Sequence, residues 1–111
     1  VLRGSFGTSL DAGRVEAYVA HMRQPGALTA ALAWYRAMDL NAGPTGPVEV
    51  PTLYLWGEQE HAVTADTAKA SADLVAGPYR FEVLEGAGHW LPEQRPGPVL
   101  EHVLAHLAAQ A

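Results

Sequence analysis

A histidine preceded by two glycines is the residue of this sequence best suited to proton transfer. His89 lies in the segment EGAGHWLP, directly after the apolar run YRFEVL. Gly86 and Gly88 allow the backbone to turn sharply, and such a turn would aim the imidazole back over the end of the run. Imidazole gains and loses a proton near neutral pH. The segment therefore indicates either a general base or a histidine that is merely tolerated in a glycine-rich turn, with Trp90 placed to exclude water.

Acidic side chains follow the preceding apolar run, TLYLW. Gly57 ends that run, and Glu58 and Glu60 come immediately after it in the segment GEQEHAV. If the two runs are neighbouring parallel strands, their carboxyl ends lie at the same edge of the sheet. A carboxylate there could orient His89 and stabilise its protonated form. The alternative is that both glutamates are solvated loop residues, as glutamates usually are.

The elements that would position these residues form a strand, helix and strand. Residues 52–56 and 80–84 are short apolar runs typical of buried parallel strands. The segment TADTAKASADLV between them predicts a helix with Thr64 as its N-cap. A βαβ unit of this length implies parallel strands in one sheet with a right-handed crossover. A last helix is predicted from residue 96 or 97 to 110, and its apolar face comprises Val99, Leu100, Val103, Leu104 and Leu107.

Two further helices are predicted upstream of this unit. Residues 10–23 repeat apolar side chains at helical spacing, with Ser9 or Asp11 as the cap. A second, alanine-rich helix is predicted over residues 27–40, and Pro25 is suited to opening it at its first turn. Residues 41–51 contain two glycines and three prolines, which predicts a connector.

Composition excludes several classes of protein. The chain has 111 residues, which is at most one domain, and its net charge of −5 with scattered basic residues argues against nucleic-acid binding. The sequence has no cysteine, so it offers no disulfide and no thiolate metal site, and this fits a reducing, cytoplasmic environment. No apolar run approaches the roughly 20 residues of a membrane span.

Metal and cofactor sites are not expected. His102 and His106 have the spacing of a helical metal pair, but they lack the H-E-x-x-H pattern that usually accompanies it. Both are expected to be solvated surface residues. No segment suggests a cofactor-binding motif.

Three segments together resemble the carboxyl-terminal end of an α/β-hydrolase-fold enzyme, most closely the epoxide hydrolase and haloalkane dehalogenase branch. They are VPTLYLWGEQEHAV, GPYRFEVLEGAGHWLPEQRP and the apolar closing helix, and the resemblance extends over roughly residues 26–107. It implies an α/β fold class in which the chain is a C-terminal fragment. Residues 1–25 would be the end of a helical cap, and residues 26–111 an incomplete core with the last two parallel strands and their helices.

The resemblance also implies three catalytic residues. His89 matches the base of the G-x-G-H-W motif, and Glu60 matches the acid that lies three residues after the glycine ending the preceding strand. That acid is usually aspartate in this family, so Glu60 is a departure, and Glu58 is the substitute. Tyr35, in GALTAALAWYRAM, matches the tyrosine that reaches the pocket from the cap, where a phenol can stabilise the oxyanion of an opening epoxide.

The implied reaction is two-step covalent hydrolysis, in which a nucleophilic aspartate or serine forms an ester and His89 activates the water that cleaves it. The nucleophile belongs on a G-x-[SD]-x-G elbow, and this pattern does not occur in the 111 residues. Ser5, in GSFGTS, has the wrong spacing. We therefore expect a fragment that needs the N-terminal part of the fold, is marginal or oligomeric alone, and is inactive alone.

Three readings remain beside an epoxide hydrolase acting on a small apolar epoxide or ester. The fragment could belong to an esterase or a haloalkane dehalogenase. It could be a noncatalytic hydrolase-like module that binds a ligand or partner, which the departure at Glu60 favours. It could also be a βαβ piece of another α/β fold, flavodoxin-like for instance, with His89 incidental.

Overall fold

The computed structural model describes residues 10–39, 43 and 46–110. The chain divides into two compact units, Val1–Pro44 and Thr45–Ala111, and each is described by itself. The resemblance implies a different division, between residues 25 and 26, which would separate a helical cap from the core of a complete hydrolase fold. That division stays a prediction.

The first unit contains two helices, α1 (Ala12–Met22) and α2 (Ala27–Ala37). Asp11 is the N-cap of α1, where its side chain accepts a hydrogen bond of 3.0 Å from the Arg14 amide. The alternative cap, Ser9, lies outside the described residues.

The start of α2 corrects one prediction. Gly26, not Pro25, is the N-cap, and its φ of 81° is in the left-handed region that glycine adopts without strain. Gly26 lies in the turn that joins the two helices, and Pro25 belongs to the same turn and not to the first turn of the helix, which begins at Ala27 as predicted. The helix ends at Ala37, three residues before the predicted end.

The second unit is a βαβ arrangement with two further helices. Its two strands pair in parallel, with Thr52 opposite Tyr79 and Gly57 opposite Leu84, which confirms the predicted sheet. Thr64 caps the intervening helix by accepting a hydrogen bond of 3.3 Å from the Thr67 amide. In chain order the elements are β1 (Thr52–Gly57), α3 (Ala65–Ala70), a 3₁₀ helix (Ser71–Leu74), β2 (Tyr79–Leu84), α4 (Leu91–Gln94) and α5 (Pro96–Ala108).

The core of the described part is small. Its buried apolar residues are Ala68, Leu84 and Ala87. The strands were expected to be buried on both faces, but most of their residues are half-buried, and Val83 is 49% exposed. This prediction is wrong for the described residues because two strands and the elements around them cannot cover both faces of the sheet.

The orientation of α5 also differs from the prediction. Leu100, Leu104 and Leu107 are each more than half exposed, whereas His102 and His106 are half-buried. The Arg80 guanidinium on β2 donates a hydrogen bond of 2.9 Å to Nδ1 of His102. The expectation that these histidines are solvated is therefore wrong, because their side of the helix, and not the leucine side, is the more covered one.

Among residues 10–39 and 46–110, no helix is both long enough and apolar enough to cross a bilayer.

Candidate active site

Two loops at the carboxyl ends of the strands approach each other closely. We call residues 58–63 the acid loop and residues 85–90 the histidine loop. The Gln59 amide donates a hydrogen bond of 2.8 Å to the Ala87 carbonyl. Gly57 makes this approach possible, because a Cβ at that position would lie 2.5 Å from the Ala87 oxygen and would overlap the Gly88 oxygen. A backbone hydrogen bond thus joins the two loops at the carboxyl edge of the sheet, where the acid and His89 were predicted to lie.

Side chains from the acid loop and from the residues after the histidine loop bind the backbone of this turn. Gly86 has a φ of 63°, and its amide donates a hydrogen bond of 3.0 Å to the Glu58 carboxylate. Its carbonyl accepts a hydrogen bond of 3.3 Å from Arg95. The Gly88 amide donates one of 2.7 Å to Oε1 of Gln94. Glu58, the substitute acid of the sequence analysis, therefore binds the turn before His89 and not the imidazole.

Glu60 is the carboxylate that meets His89. Its Oε2 lies 2.7 Å from Nδ1 of the imidazole, so the hydrogen bond anticipated from the parallel strands is present. The other carboxylate oxygen accepts a hydrogen bond of 2.6 Å from the Ala62 amide. The Glu60 side chain is 9% exposed, and that of His89 is 52% exposed. The additional methylene relative to aspartate thus leaves the acid within reach of the base.

The surroundings of Glu60 determine the proton positions in this pair. Burial acts to raise the pKa of Glu60, but the Ala62 amide and the hydrogen bond and charge of His89 outweigh it, so the pKa lies below its usual range. The carboxylate is therefore ionised at neutral pH and can only accept hydrogen bonds. Nδ1 of a neutral His89 must then carry the proton, which leaves Nε2 as the basic nitrogen.

The lowered pKa of Glu60 predicts an acid-labile contribution to stability. A carboxyl group with a lower pKa in the folded than in the unfolded state stabilises the fold fully above its unfolded pKa of about 4.3. That contribution is lost as the pH falls through the folded value. We expect Glu60→Gln to flatten the fall in the free energy of unfolding below about pH 4.3. Urea unfolding of the parent and of Glu60→Gln between pH 3 and pH 7 measures this free energy. Curves of unfolding free energy against pH that run parallel for the two proteins would contradict the prediction.

Two tryptophans border the loops. The His89 and Trp90 rings meet edge to face, with centroids 5.1 Å apart. Trp56, at the end of β1, donates an indole hydrogen bond of 3.0 Å to the Val63 carbonyl and so fixes the far end of the acid loop. The sequence analysis assigned no role to Trp56. Its position at the end of the TLYLW run, directly before Gly57 and the acid loop, was the one feature that could have indicated this role.

Tyr35 lies on α2 in the first unit, and it is 71% exposed. The neighbouring Trp34 is 72% exposed, so α2 presents a broad aromatic surface. In the part of the chain that the structure describes, no three or more histidine, aspartate or glutamate side chains are grouped so that they could hold a metal ion.

Comparison with known proteins identifies the fold. The chain matches no protein-family model. It is 35% identical over 97 residues to epoxide hydrolase A of Mycobacterium tuberculosis, covering 81% of this chain and 29% of the relative. It is 32% identical over 105 residues to an AB hydrolase superfamily protein of Bacillus subtilis, covering 93% of this chain and 35% of the relative.

A solved structure agrees with the sequence relatives. The crystal structure of epoxide hydrolase A from Mycobacterium thermoresistibile superimposes with a TM-score of 0.74 at 28% identity, and the match covers 91% of this chain and 33% of that structure. The chain thus spans about a third of the length of the proteins it matches. It corresponds to a carboxyl-terminal portion of the α/β-hydrolase fold and is similar in sequence to the epoxide hydrolases.

Proposed function

We propose that this chain supplies the general base and the orienting acid of an epoxide hydrolase-like reaction. The observation that carries the proposal is the 2.7 Å contact between Nδ1 of His89 and the ionised Glu60, at the carboxyl edge of a parallel sheet. The largely covered Glu60 side chain holds the Nδ1 edge of the imidazole, which leaves Nε2 as the basic nitrogen, and the ring is half exposed. The epoxide hydrolases among the relatives support this choice of reaction.

The first step requires a nucleophile from outside these 111 residues, because no G-x-[SD]-x-G elbow occurs in them. For an epoxide we propose an aspartate. Its carboxylate forms a bond to one ring carbon while the bond from that carbon to the ring oxygen breaks. The Tyr35 hydroxyl donates a hydrogen bond to the developing alkoxide, which takes up a proton from solvent to become a hydroxyl group.

His89 acts in the second step. Nε2 removes a proton from a water molecule, and the oxygen of that water attacks the ester carbonyl. The tetrahedral intermediate collapses by breaking its bond to the diol oxygen, and that oxygen takes the proton of the added hydroxyl. The aspartate is left as a carboxylate and the diol is released. The imidazolium then gives its proton to solvent, which balances the proton taken up by the alkoxide in the first step. Glu60 holds Nδ1 and stabilises the imidazolium ion while it exists. Its own negative charge is already present, so no proton has to pass to the acid.

We further propose that the 111 residues by themselves are marginal or oligomeric and have no hydrolase activity. Three small or medium side chains form the described buried core, and the leucine face of α5 is exposed. Such a surface is normally covered in a monomeric protein. The partner that fits it is the N-terminal part of a hydrolase fold, which would add strands to the sheet and supply the nucleophile.

The direct test is a hybrid enzyme in which this chain replaces the matching segment of the Mycobacterium tuberculosis epoxide hydrolase A. The proposal predicts that the hybrid converts epoxides to diols, while the 111-residue chain alone does not. Turnover of a p-nitrophenyl ester but not of an epoxide would favour esterase chemistry. A folded hybrid that binds epoxide without turnover would contradict the catalytic proposal and favour a noncatalytic binding module.

Tyr35→Phe tests the proposed donor separately from the base. Because phenylalanine keeps the ring and removes the hydroxyl, we expect the rate of ester formation in the hybrid to fall about a hundredfold. The rate of ester hydrolysis should stay unchanged, since that step uses His89. Single-turnover kinetics separate the two rates. Tyr54→Phe on β1 is the matched control, and equal effects of the two substitutions would reject the role of Tyr35.

A further inference from the structure

We infer that Gln94 is a positioning residue for His89, holding the backbone at Gly88 and at Trp90, on either side of the histidine, so that the imidazole stays on Glu60. This inference rests on the proposed function of the His89 and Glu60 pair, and it assigns to Gln94 a role that the sequence motif does not reveal. Gln94 would act through the backbone of the histidine loop and would not contact the substrate or the water that attacks the ester.

The first observation is that Gln94 bonds to the backbone both before and after His89. Its Oε1 accepts a hydrogen bond of 2.7 Å from the Gly88 amide. Its own backbone amide donates one of 2.8 Å to the carbonyl of Trp90. His89 is therefore the residue enclosed between two hydrogen bonds to one glutamine.

The second observation is that Gln94 sits on a structured element. It is the last residue of α4 (Leu91–Gln94), which begins two residues after His89. The side chain is half-buried, and its amide also lies against Gly88, with Nε2 3.5 Å from where a Cβ of that glycine would be. The acceptor is thus held in place by the helix and by packing against the turn.

The other hydrogen bonds that hold the histidine loop lie further from His89. Glu58 and Arg95 bond to the amide and the carbonyl of Gly86, three residues before His89, at 3.0 and 3.3 Å. The Ala87 carbonyl is already bonded to the Gln59 amide. The Gly88 amide belongs to the same peptide group as that carbonyl, so removing the Gln94 side chain leaves this peptide with one hydrogen bond and able to tilt about it. Gly88 can follow such a tilt, because a glycine has the widest choice of dihedral angles. Rotation there swings His89 away from Glu60.

The test compares Gln94→Met with Gln94→Glu in the hybrid enzyme. Methionine keeps the length and removes the acceptor, whereas glutamate keeps an acceptor oxygen. Gln59→Met is the matched control, because that exposed side chain is on the adjacent loop and its backbone bond to Ala87 is retained. Two NMR readouts are followed: the ring ¹⁵N shifts of His89, which report the tautomer, and hydrogen exchange of the Gly88 amide.

We expect Gln94→Met to raise Gly88 amide exchange at least tenfold, the equivalent of about 1.4 kcal/mol, and to turn the single Nδ1–H tautomer into a mixture. Gln94→Glu and Gln59→Met should keep the parent values. In the hybrid enzyme, Gln94→Met should lower kcat about tenfold or more with little change in KM, and Gln94→Glu should restore it.

The inference is overturned if Gln94→Met retains the parent tautomer and exchange rate, if Gln59→Met shows the same loss, or if the parent hybrid has no single Nδ1–H tautomer at His89. If Gln94→Met unfolds, Gln94→Asn replaces it, since the shorter amide stays polar but cannot reach Gly88. The inference is also overturned if Gln94→Asn keeps the parent tautomer and exchange rate, or if Gln94→Asn unfolds as well. Both NMR readouts are independent of turnover, so a hybrid whose activity ignores His89 would refute the proposed function and leave the role of Gln94 to be judged by the spectra.

Discussion

Replacing His89 by glutamine in the hybrid enzyme is expected to lower steady-state turnover by about 10³-fold while leaving the first step intact. Glutamine fills a similar volume and can still reach Glu60, but it cannot take a proton from water. The ester should therefore form at the parent rate and persist. Rapid-quench kinetics with an epoxide would show a burst equal to the enzyme concentration, followed by very slow release of diol.

His102→Gln is the matched control for this experiment. His102 is a half-buried histidine on α5 whose partner is Arg80, at the face of β2 and not in either catalytic loop. The same change of residue type there should alter stability slightly and leave the kinetics of both steps unchanged. A comparable loss of turnover in the two variants would mean that the effect at His89 reflects folding and not catalysis.

Gly57→Ala is expected to cost about 3 kcal/mol of unfolding free energy and to separate the catalytic pair. The added methyl would overlap the Gly88 oxygen and lie 2.5 Å from the Ala87 oxygen. Both are backbone atoms of the turn that carries His89, so they cannot yield by a change of rotamer. Relief requires the acid loop and the histidine loop to move apart, which would break the bond from Gln59 to Ala87. Urea unfolding of the hybrid and its turnover measure the two effects.

Gly97→Ala provides the control for the loss of glycine. Gly97 lies in the first turn of α5, and a Cβ there would meet no atom within 4 Å. Alanine favours the helix, so stability should change by less than about 1 kcal/mol, and in the stabilising direction. If Gly57→Ala proved as mild as Gly97→Ala, the close approach of the two loops would not be a requirement of the site.

The elements that sequence predicted well are those whose signals are local. The TLYLW and YRFEVL runs correspond to β1 and β2, and Thr64 caps the helix between them, because strand runs and caps depend on neighbouring residues. Exposure was predicted poorly. His102 and His106 were expected to be solvated, yet both are half-buried and His102 contacts Arg80, while the leucines of α5 are exposed. Which face a helix covers depends on elements distant in the sequence.

Part of the candidate site was also predictable from the sequence, and part was not. The topology of parallel strands was enough to bring Glu60 to His89, although the spacing alone did not distinguish Glu60 from Glu58. The structure distinguishes them, since Glu58 is bound to the Gly86 amide. The short helix α4 and the bond from Gln94 to Gly88 were missed. LPEQ is too short to show a helical period, and a glutamine that bonds the amide of a residue six positions earlier follows no spacing rule of the kind that helix caps do.

The localisation and the catalytic roles remain predictions from the sequence. The cytoplasmic assignment rests on the lack of cysteine, and the role of Tyr35 rests on its place in the WYR segment.

The most direct test of the central claim is the intact mass of the His89→Gln hybrid after incubation with an epoxide. If His89 is the base that cleaves the ester, the protein should gain the mass of one whole epoxide molecule, because ring opening releases no leaving group, and the adduct should persist for many times the parent turnover time. The parent hybrid should show almost no adduct. An unmodified His89→Gln protein that still turns over epoxide at the parent rate would contradict the account.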